Sequence, residues 1–446
     1  MNFSQTIVKF LKNILPSPFS IAIILTVISF IFALLFTKPE ISVPNYFIDV
    51  LGFWENGFWE LLAFTTQMIL MLVLGHTLAL TKSINKLINT VVKYCNTTPK
   101  AALLVTLLTV LVSLFNWGLG LIFGAILARK VGESAKKQGF QLNYPLIGAA
   151  GYSGLMVWHG GFSGSAPLKI AEQNHFLADS IGQVLINETI LSIMNISVSI
   201  ALIIILPFAM FMLAKKSSNY PFELRTNFSL DSIDRTNIQG AEKLDYSRFF
   251  AISFSLIFIF IAITKILKAE DLSFLNLNYI NFLLFGLGLL MHGNIASFLN
   301  AVNKAIVGST GILIQFPLYA GIMGIMKYSG LTVLFTDFFI NISSQTTFPV
   351  YTLFSAGIVN IFVPSGGGQW IVQGPIIIEA AKQLNVPVAK AVMALAYGDQ
   401  LTNMLQPFWA LPLLGITGLK AKEIIPYTLF LMFIGLLIYT TGLLIF

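Results

Sequence analysis

Apolar runs of spanning length recur along the chain at about 19–37, 61–81, 184–214, 249–264, 278–297, 305–326 and 427–446. Two further runs, about 144–168 and 388–412, are interrupted by polar residues and glycines. The one long polar stretch, 215–248, separates a first half, 1–214, from a second half, 249–446. With the N-terminus placed in the cytoplasm, alternation puts Lys82, Lys86, Lys93 and Lys100 inside. Arg129, Lys130, Lys136 and Lys137 follow on the same side, then Lys215, Lys216, Arg225, Arg235, Lys243 and Arg248. This is the asymmetry that the positive-inside rule describes, and it makes 215–248 a cytoplasmic linker.

Residues 101–128 are apolar and long enough to cross, yet Lys100 on one flank and Arg129 with Lys130 on the other prefer the same side. A re-entrant hairpin resolves the conflict, turning at NWGLG, residues 116–120. The second half repeats the grammar: 350–378 is apolar, is broken at PSGGG, residues 364–368, and must enter from the opposite face. After each hairpin comes a broken helix, GYSGLMVWHGGFSGSAPL at 151–168 and YGDQLTNMLQPFWALPLL at 397–414. A constant offset of 245 pairs Ala149 with Ala394, Tyr152 with Tyr397, Pro167 with Pro412 and Leu168 with Leu413. Opposite orientation of matched segments is the signature of an inverted-topology repeat, whose binding site lies near the midplane where breaks and tips converge. The fold class expected is therefore an all-α polytopic membrane protein with two re-entrant hairpins and two broken helices. Such a site explains why three consecutive glycines, each costing roughly 1 kcal/mol of helix propensity, stand in an apolar run. They let backbone N–H groups approach a bound ion closely. A nucleotide-binding loop is excluded, because no lysine follows the glycines at the required spacing.

Composition fixes the setting. Of 446 residues, 56% are hydrophobic and 10% charged, and the mean hydropathy is +0.82, more apolar surface than a soluble core can hide. The formal charge of +7 does not point to nucleic acid: only four arginines occur, and the lysines sit between apolar runs. Residues 1–18 lack a small-residue cleavage site, so no removed signal peptide is expected. Cys95 is the sole cysteine, which excludes an intramolecular disulfide and an all-cysteine metal site. No His and carboxylate cluster has metal-ligand spacing, and no cofactor is expected.

Six blocks, NGFWELLAFTTQMIL, FNWGLGLIFGA, WHGGFSGSAPL, STGILIQFPLYAGI, VPSGGGQWIVQGP and AYGDQLTNMLQPFWALP, in this order and spread over nearly the whole chain, resemble the bacterial short-chain fatty acid transporter family. The resemblance implies uptake of butyrate- and acetoacetate-like acids across the bacterial inner membrane. It also implies membership of the ion-transporter superfamily, hence elevator-type motion and, by analogy, a homodimer. The dicarboxylate carriers of that superfamily have a Ser-Asn-Thr triplet after each hairpin, whereas the comparable places here read SGLMVWHGGFSGS and DQLTN. Their sodium coupling and dicarboxylate selectivity are therefore not carried over, and the coupling ion, H+ or Na+, stays open. A channel, a carrier for another small organic anion such as a dicarboxylate, and an intramembrane enzyme are the competing classes; the last lacks a nucleophile with its base.

One carboxylate on a small apolar tail needs a few donors beside an apolar wall. No arginine falls in an expected spanning segment, so compensation must come from helix N-termini or a co-transported cation. The candidate substrate donors of the first half are Asn116, Ser163 and Ser165, with backbone at Gly118, Gly120, Gly160 and Gly161. Those of the second are Ser365, Gln369, Thr402, Asn403 and Gln406, with backbone at Gly366, Gly367 and Gly368. Trp117, Trp158, Trp370 and Trp409 are candidate walls for the tail. Asp399, an intramembrane acid, and His159, in the first break, are the coupling candidates. His76 and His292 read as structural, and Glu188 and Glu379 as solvated segment ends.

Overall fold

The computed structural model describes residues 18–37, 43–60, 62–173, 175, 177–218, 222, 224, 239–269, 274, 277–362, 364, 366–406 and 409–446. The described elements are helices: α1 (Pro18–Phe36), α2 (Val43–Glu60), α3 (Leu62–Ala79), α4 (Lys82–Val92), α5 (Thr98–Phe115), α6 (Trp117–Gln138), α7 (Tyr144–Tyr152), α8 (Ser165–Ile170) and α9 (Ala178–Ile181). They continue as α10 (Ile193–Lys216), α11 (Arg248–Lys268), α12 (Leu277–His292), α13 (Ile295–Ile306), α14 (Thr310–Tyr328), α15 (Leu331–Asn341), α16 (Phe348–Phe362), α17 (Gly366–Gln383), α18 (Val388–Thr402), α19 (Leu411–Thr417) and α20 (Ala421–Ile445). Among the described residues, five stretches are long and apolar enough to cross a membrane: Pro44–Ala79, Thr98–Phe115, Ile193–Lys216, Arg248–Lys268 and Ala421–Ile445. Their outward side chains, such as Ile193, Ile204, Phe249, Phe260 and Leu267, are exposed and apolar, as lipid contact requires.

Several boundaries differ from the sequence reading. The run 184–214 is helical only from Ile193, because Gly182 takes a left-handed φ of 65° and Ser192 caps a new start by accepting from the Asn195 N–H. The run 278–297 stops at His292, where Gly293 turns with φ 74°, and α13 begins after Asn294, whose side chain accepts from the Ser297 N–H. The run 305–326 is divided by a 3-10 turn at Val307–Ser309. Helix α2 was not expected at all, since its Asn45, Asp49, Glu55 and Asn56 break up the apolar pattern. Most of the expected linker, 215–248, lies outside the described residues.

Residues 98–138 form an antiparallel helical pair. Asn116, in extended conformation (φ −152°, ψ 124°), ends α5 and caps α6, its Oδ1 accepting from the Leu119 N–H at 2.8 Å. The arms touch through small residues: a Cβ on Gly120 would lie 2.7 Å from Ser113 Cα, and one on Gly124 would lie 2.8 Å from Thr109 Cγ2. Because α6 runs on to Gln138, Arg129 lies inside it, buried, and not on a flank; it pairs with Glu133 at 3.0 Å, one helical turn on. Its position is about 18 Å along the axis from Trp117, so the tip itself holds no arginine. α16 and α17 form the second pair around Pro364, held by Gln369 Nε2 donating to the Ala356 carbonyl at 2.8 Å and Gln373 Nε2 donating to Ser355 Oγ at 2.9 Å.

The succession long helix, eleven-residue helix, helical pair, interrupted helix, long helix occurs twice: α3, α4, α5 with α6, α7 with α8, α10, and α14, α15, α16 with α17, α18 with α19, α20. The first copy alone carries an insertion holding α9 before its last long helix. Packing is reciprocal: α6 lies against α19 and α17 against α8, so the second arm of each pair covers the far end of the other copy's interrupted helix. Outside this region α2 crosses α14 backbone to backbone, since a Cβ on Gly57 would lie 2.6 Å from Gly324 Cα and one on Gly324 would lie 2.7 Å from Gly57 Cα. Lys327 of α14 ion-pairs with Glu60 at the end of α2, and the Tyr328 hydroxyl donates to the same carboxylate at 3.1 Å.

Candidate functional site

The two hairpin turns and the two helix breaks meet in one buried polar cluster. On the first side the Trp117 N–H donates to Ser163 Oγ at 2.9 Å and the Phe162 N–H donates to the Leu114 carbonyl at 2.8 Å, which fastens the turn to the break. Asn116 Nδ2 donates to Met71 Sδ at 3.4 Å, tying the same turn to α3. Gly118 packs against the Met71 side chain and Gly120 against Ser113.

On the second side Asn360, near the end of α16, organises the break. Its Nδ2 donates to the Asp399 carbonyl at 2.7 Å, to Thr402 Oγ1 at 3.0 Å and to Asn403 Oδ1 at 3.0 Å. Thr402 donates in turn to the Gly357 carbonyl at 3.0 Å. Gln406 Nε2 reaches Asn403 Oδ1 at 3.1 Å and the Asn360 carbonyl at 3.3 Å. Gln369 spends its Nε2 on the Ala356 carbonyl and on Gln373 Oε1 at 2.9 Å. Ser365 lies outside the described residues; Gly366, Gly367 and Gly368 open α17.

His159 and Asp399 join the two sides. Both are fully buried, with His159 Nε2 3.0 Å from Asp399 Oδ1. The Ser165 N–H donates to His159 Nδ1 at 3.3 Å, so the ring proton of the neutral imidazole sits on Nε2 and is donated to the carboxylate. The His159 backbone N–H donates to Gln400 Oε1 at 3.0 Å, and Gln400 Nε2 donates to Tyr439 Oη at 3.0 Å. Tyr439 itself donates to the Met156 carbonyl. Two more tyrosines cross between the copies: Tyr152 Oη donates to the Asn403 carbonyl at 3.0 Å, and Tyr397 Oη to Asn195 Oδ1 at 2.9 Å. Asn195 Nδ2 then holds the Gly160 carbonyl at 2.8 Å. Gly366, the first residue of α17, sits on the imidazole: a Cβ there would lie 2.5 Å from His159 Cε1 and 2.6 Å from Nε2. The positive end of an 18-residue helix thus lies against the imidazole.

An aromatic wall adjoins the pair. The rings of Trp117 and Trp158 are 5.8 Å apart, Trp409 stands edge-on to Trp117 at 4.9 Å, Phe316 lies 5.6 Å from Trp409, and Trp158 lies 3.7 Å from the His159 ring. Trp370 is buried in a separate apolar cluster with Phe348, Ile377 and Val392.

Some buried atoms of this region have no partner among the described residues. The acceptors are Asp399 Oδ2, Asn360 Oδ1 and Gln369 Oε1; the donors are Asn403 Nδ2 and the indole nitrogens of Trp117 and Trp158. Burying such groups unpaired costs about 1–3 kcal/mol each, a debt that a bound anion and a cation would relieve. The sequence reading missed Asn360, Gln400, Asn195 and Gln373. Asn360 carried a visible signal, a lone amide in AGIVNIF just before the hairpin turn. Among the described residues no group of three or more His, Cys, Asp or Glu could hold a metal ion.

Three comparisons bear on this arrangement. The family model for the short chain fatty acid transporter matches residues 1–446. The chain is 36% identical to a protein of Escherichia coli (strain K12), over 99% of each chain, and 36% identical to one of Haemophilus influenzae (strain ATCC 51907 / DSM 11121 / KW20 / Rd), over 95% of each. Both relatives bear the provisional name of short-chain fatty acid transporter. Among solved structures, the Alcanivorax borkumensis YdaH transporter aligns over 96% of this chain and 98% of its own at 12% identity, with a TM-score of 0.47. Neisseria gonorrhoeae MtrF, of a class of antimetabolite efflux pumps, aligns over 98% and 97% at 14% identity, also with a TM-score of 0.47.

Proposed function

Because the chain belongs to the short chain fatty acid transporter family and is a membrane transporter, not an enzyme, we propose that it is a secondary carrier taking up short-chain monocarboxylates of the butyrate or acetoacetate kind by cation symport. The observation that supports this reading is the buried His159–Asp399 contact, which joins the breaks of the two copies and leaves one carboxylate oxygen open. An anion entering against an inside-negative potential meets about 2.3 kcal/mol per charge per 100 mV, so accumulation requires a compensating cation. In this reading the cation is a proton, taken up at Asp399 Oδ2. A second anion within about 6 Å of an unneutralised Asp399 would be disfavoured by roughly 3 kcal/mol at an effective dielectric of 20. Protonation therefore precedes or accompanies substrate binding, and the two solutes move together.

The twofold succession of elements and the reciprocal packing of α6 on α19 and α17 on α8 support an inverted repeat. In such a carrier the hairpins and interrupted helices move as one body, in elevator fashion, against a frame built on the α2–α14 crossing. The bacterial inner membrane is the compartment this mechanism needs, since it holds the proton gradient. Counterflow of radiolabelled butyrate in proteoliposomes tests the carrier, and uptake under separately imposed proton and sodium gradients tests the coupling. Absence of saturable exchange for both butyrate and acetoacetate would refute the substrate class. Acceleration by a sodium gradient alone would move the coupling from proton to sodium.

A further inference from the structure

The side chains that the sequence marks as substrate donors are largely committed within the protein. Asn116, Gln369, Thr402 and Gln406 donate to protein acceptors, and Ser163 receives the Trp117 N–H. Trp117 and Trp158 differ: both rings are buried, they lie 5.8 Å apart, and each indole N–H lacks an acceptor among the described residues. We infer that these two indole N–H groups seat the carboxylate of the transported acid, in addition to lining its path; the inference rests on the carrier reading above.

Three further observations favour an anion here. Trp117 is the first residue of α6, a 22-residue helix whose positive end favours negative charge. The Trp158 ring lies on that of His159, so the seat adjoins the pair that would bind the proton. Trp409 and Phe316 continue the aromatic surface away from Trp117, leaving an apolar wall suited to a tail of a few carbons. Neutral donors hold a carboxylate without placing a permanent buried cation beside it, which suits a site that must release its substrate on the other side.

The test compares the full-length protein with Trp117→Phe and Trp158→Phe in butyrate counterflow, and records indole N–H resonances of the six tryptophans in 15N-labelled protein as butyrate is added. Phenylalanine keeps an apolar ring and removes the donor. The expected result is a half-saturation concentration raised about tenfold in each variant, a maximal exchange rate within about twofold of wild type, and downfield movement of two indole protons. Wild-type half-saturation in both variants, with all indole protons stationary while butyrate exchanges, would overturn the inference and leave the rings as walls. The wild-type spectrum decides the question even if a variant fails to insert: two indole protons move on adding butyrate if the inference holds, and none moves if it fails. Absence of butyrate exchange by the wild type would instead refute the carrier reading on which the inference stands.

Discussion

Asp399 gives one oxygen to His159 and keeps the other for whatever arrives. Asp399→Asn preserves shape and removes the ionisable oxygen. It is expected to abolish proton-driven accumulation in gradient assays while solute exchange continues; full accumulation by the variant would take Asp399 out of the coupling. Gly366 is sterically exacting, because any Cβ there would lie 2.5 Å from the imidazole. Gly366→Ala must push His159 off Asp399, so uptake should fall by an order of magnitude or more with membrane insertion intact, and wild-type uptake would show that the contact is dispensable. A third residue is informative by being inert. Burial pushes the Cys95 thiol up to about 12, leaving on the order of one molecule in a hundred thousand as thiolate at pH 7. Maleimide should therefore label the folded protein far more slowly than the detergent-unfolded chain, and prompt labelling of the native form would contradict that burial.

The first hairpin turn is built by a single polar residue, Asn116, which ends α5 and caps α6. Asn116→Ala removes the cap on α6 and the bond to Met71, and is expected to destabilise the protein by about 1 kcal/mol, read as a lower thermal midpoint in detergent. An unchanged midpoint would mean that packing alone sets the turn. These turns were legible in the sequence because helix breakers in an apolar run are locally encoded: NWGLG and PSGGG mark the two bends wherever the rest of the chain goes. Helix α2 was not legible, since its polar residues hide the period and its glycine face is meaningful only against α14. The division at Val307–Ser309 left no mark either, because a 3-10 turn costs no change in hydropathy. At the site, Asp399 and His159 stood out as ionisable groups in apolar surroundings. Asn360 was not read as a site residue, since the 39 positions that separate it from Asp399 are closed only when the hairpin folds. Nor could a sequence distinguish a donor already committed from one still open, which is what separates Thr402 from Trp158.

Across the whole molecule, helices meet in two different ways. At the site they meet through long polar side chains, Tyr152 to Asn403, Tyr397 to Asn195 and His159 to Asp399. At α2 and α14 they meet through glycine backbone, locked at the end by Glu60 and Lys327. If the latter is the stationary frame, a bifunctional maleimide linking Glu60→Cys to Lys327→Cys should leave butyrate exchange intact, whereas arrest of exchange by that link would place the moving boundary there. A seam made of backbone has almost no rotamers to rearrange, so it contributes little to the energy needed to pass from one facing to the other. The activation enthalpy of turnover should then reside in the bonds that join the moving body to the long helices beside it, those of Asn116 to Met71, Tyr397 to Asn195 and Tyr439 to Met156, and the temperature dependence of transport should respond to substitutions there while remaining indifferent to the glycine seam.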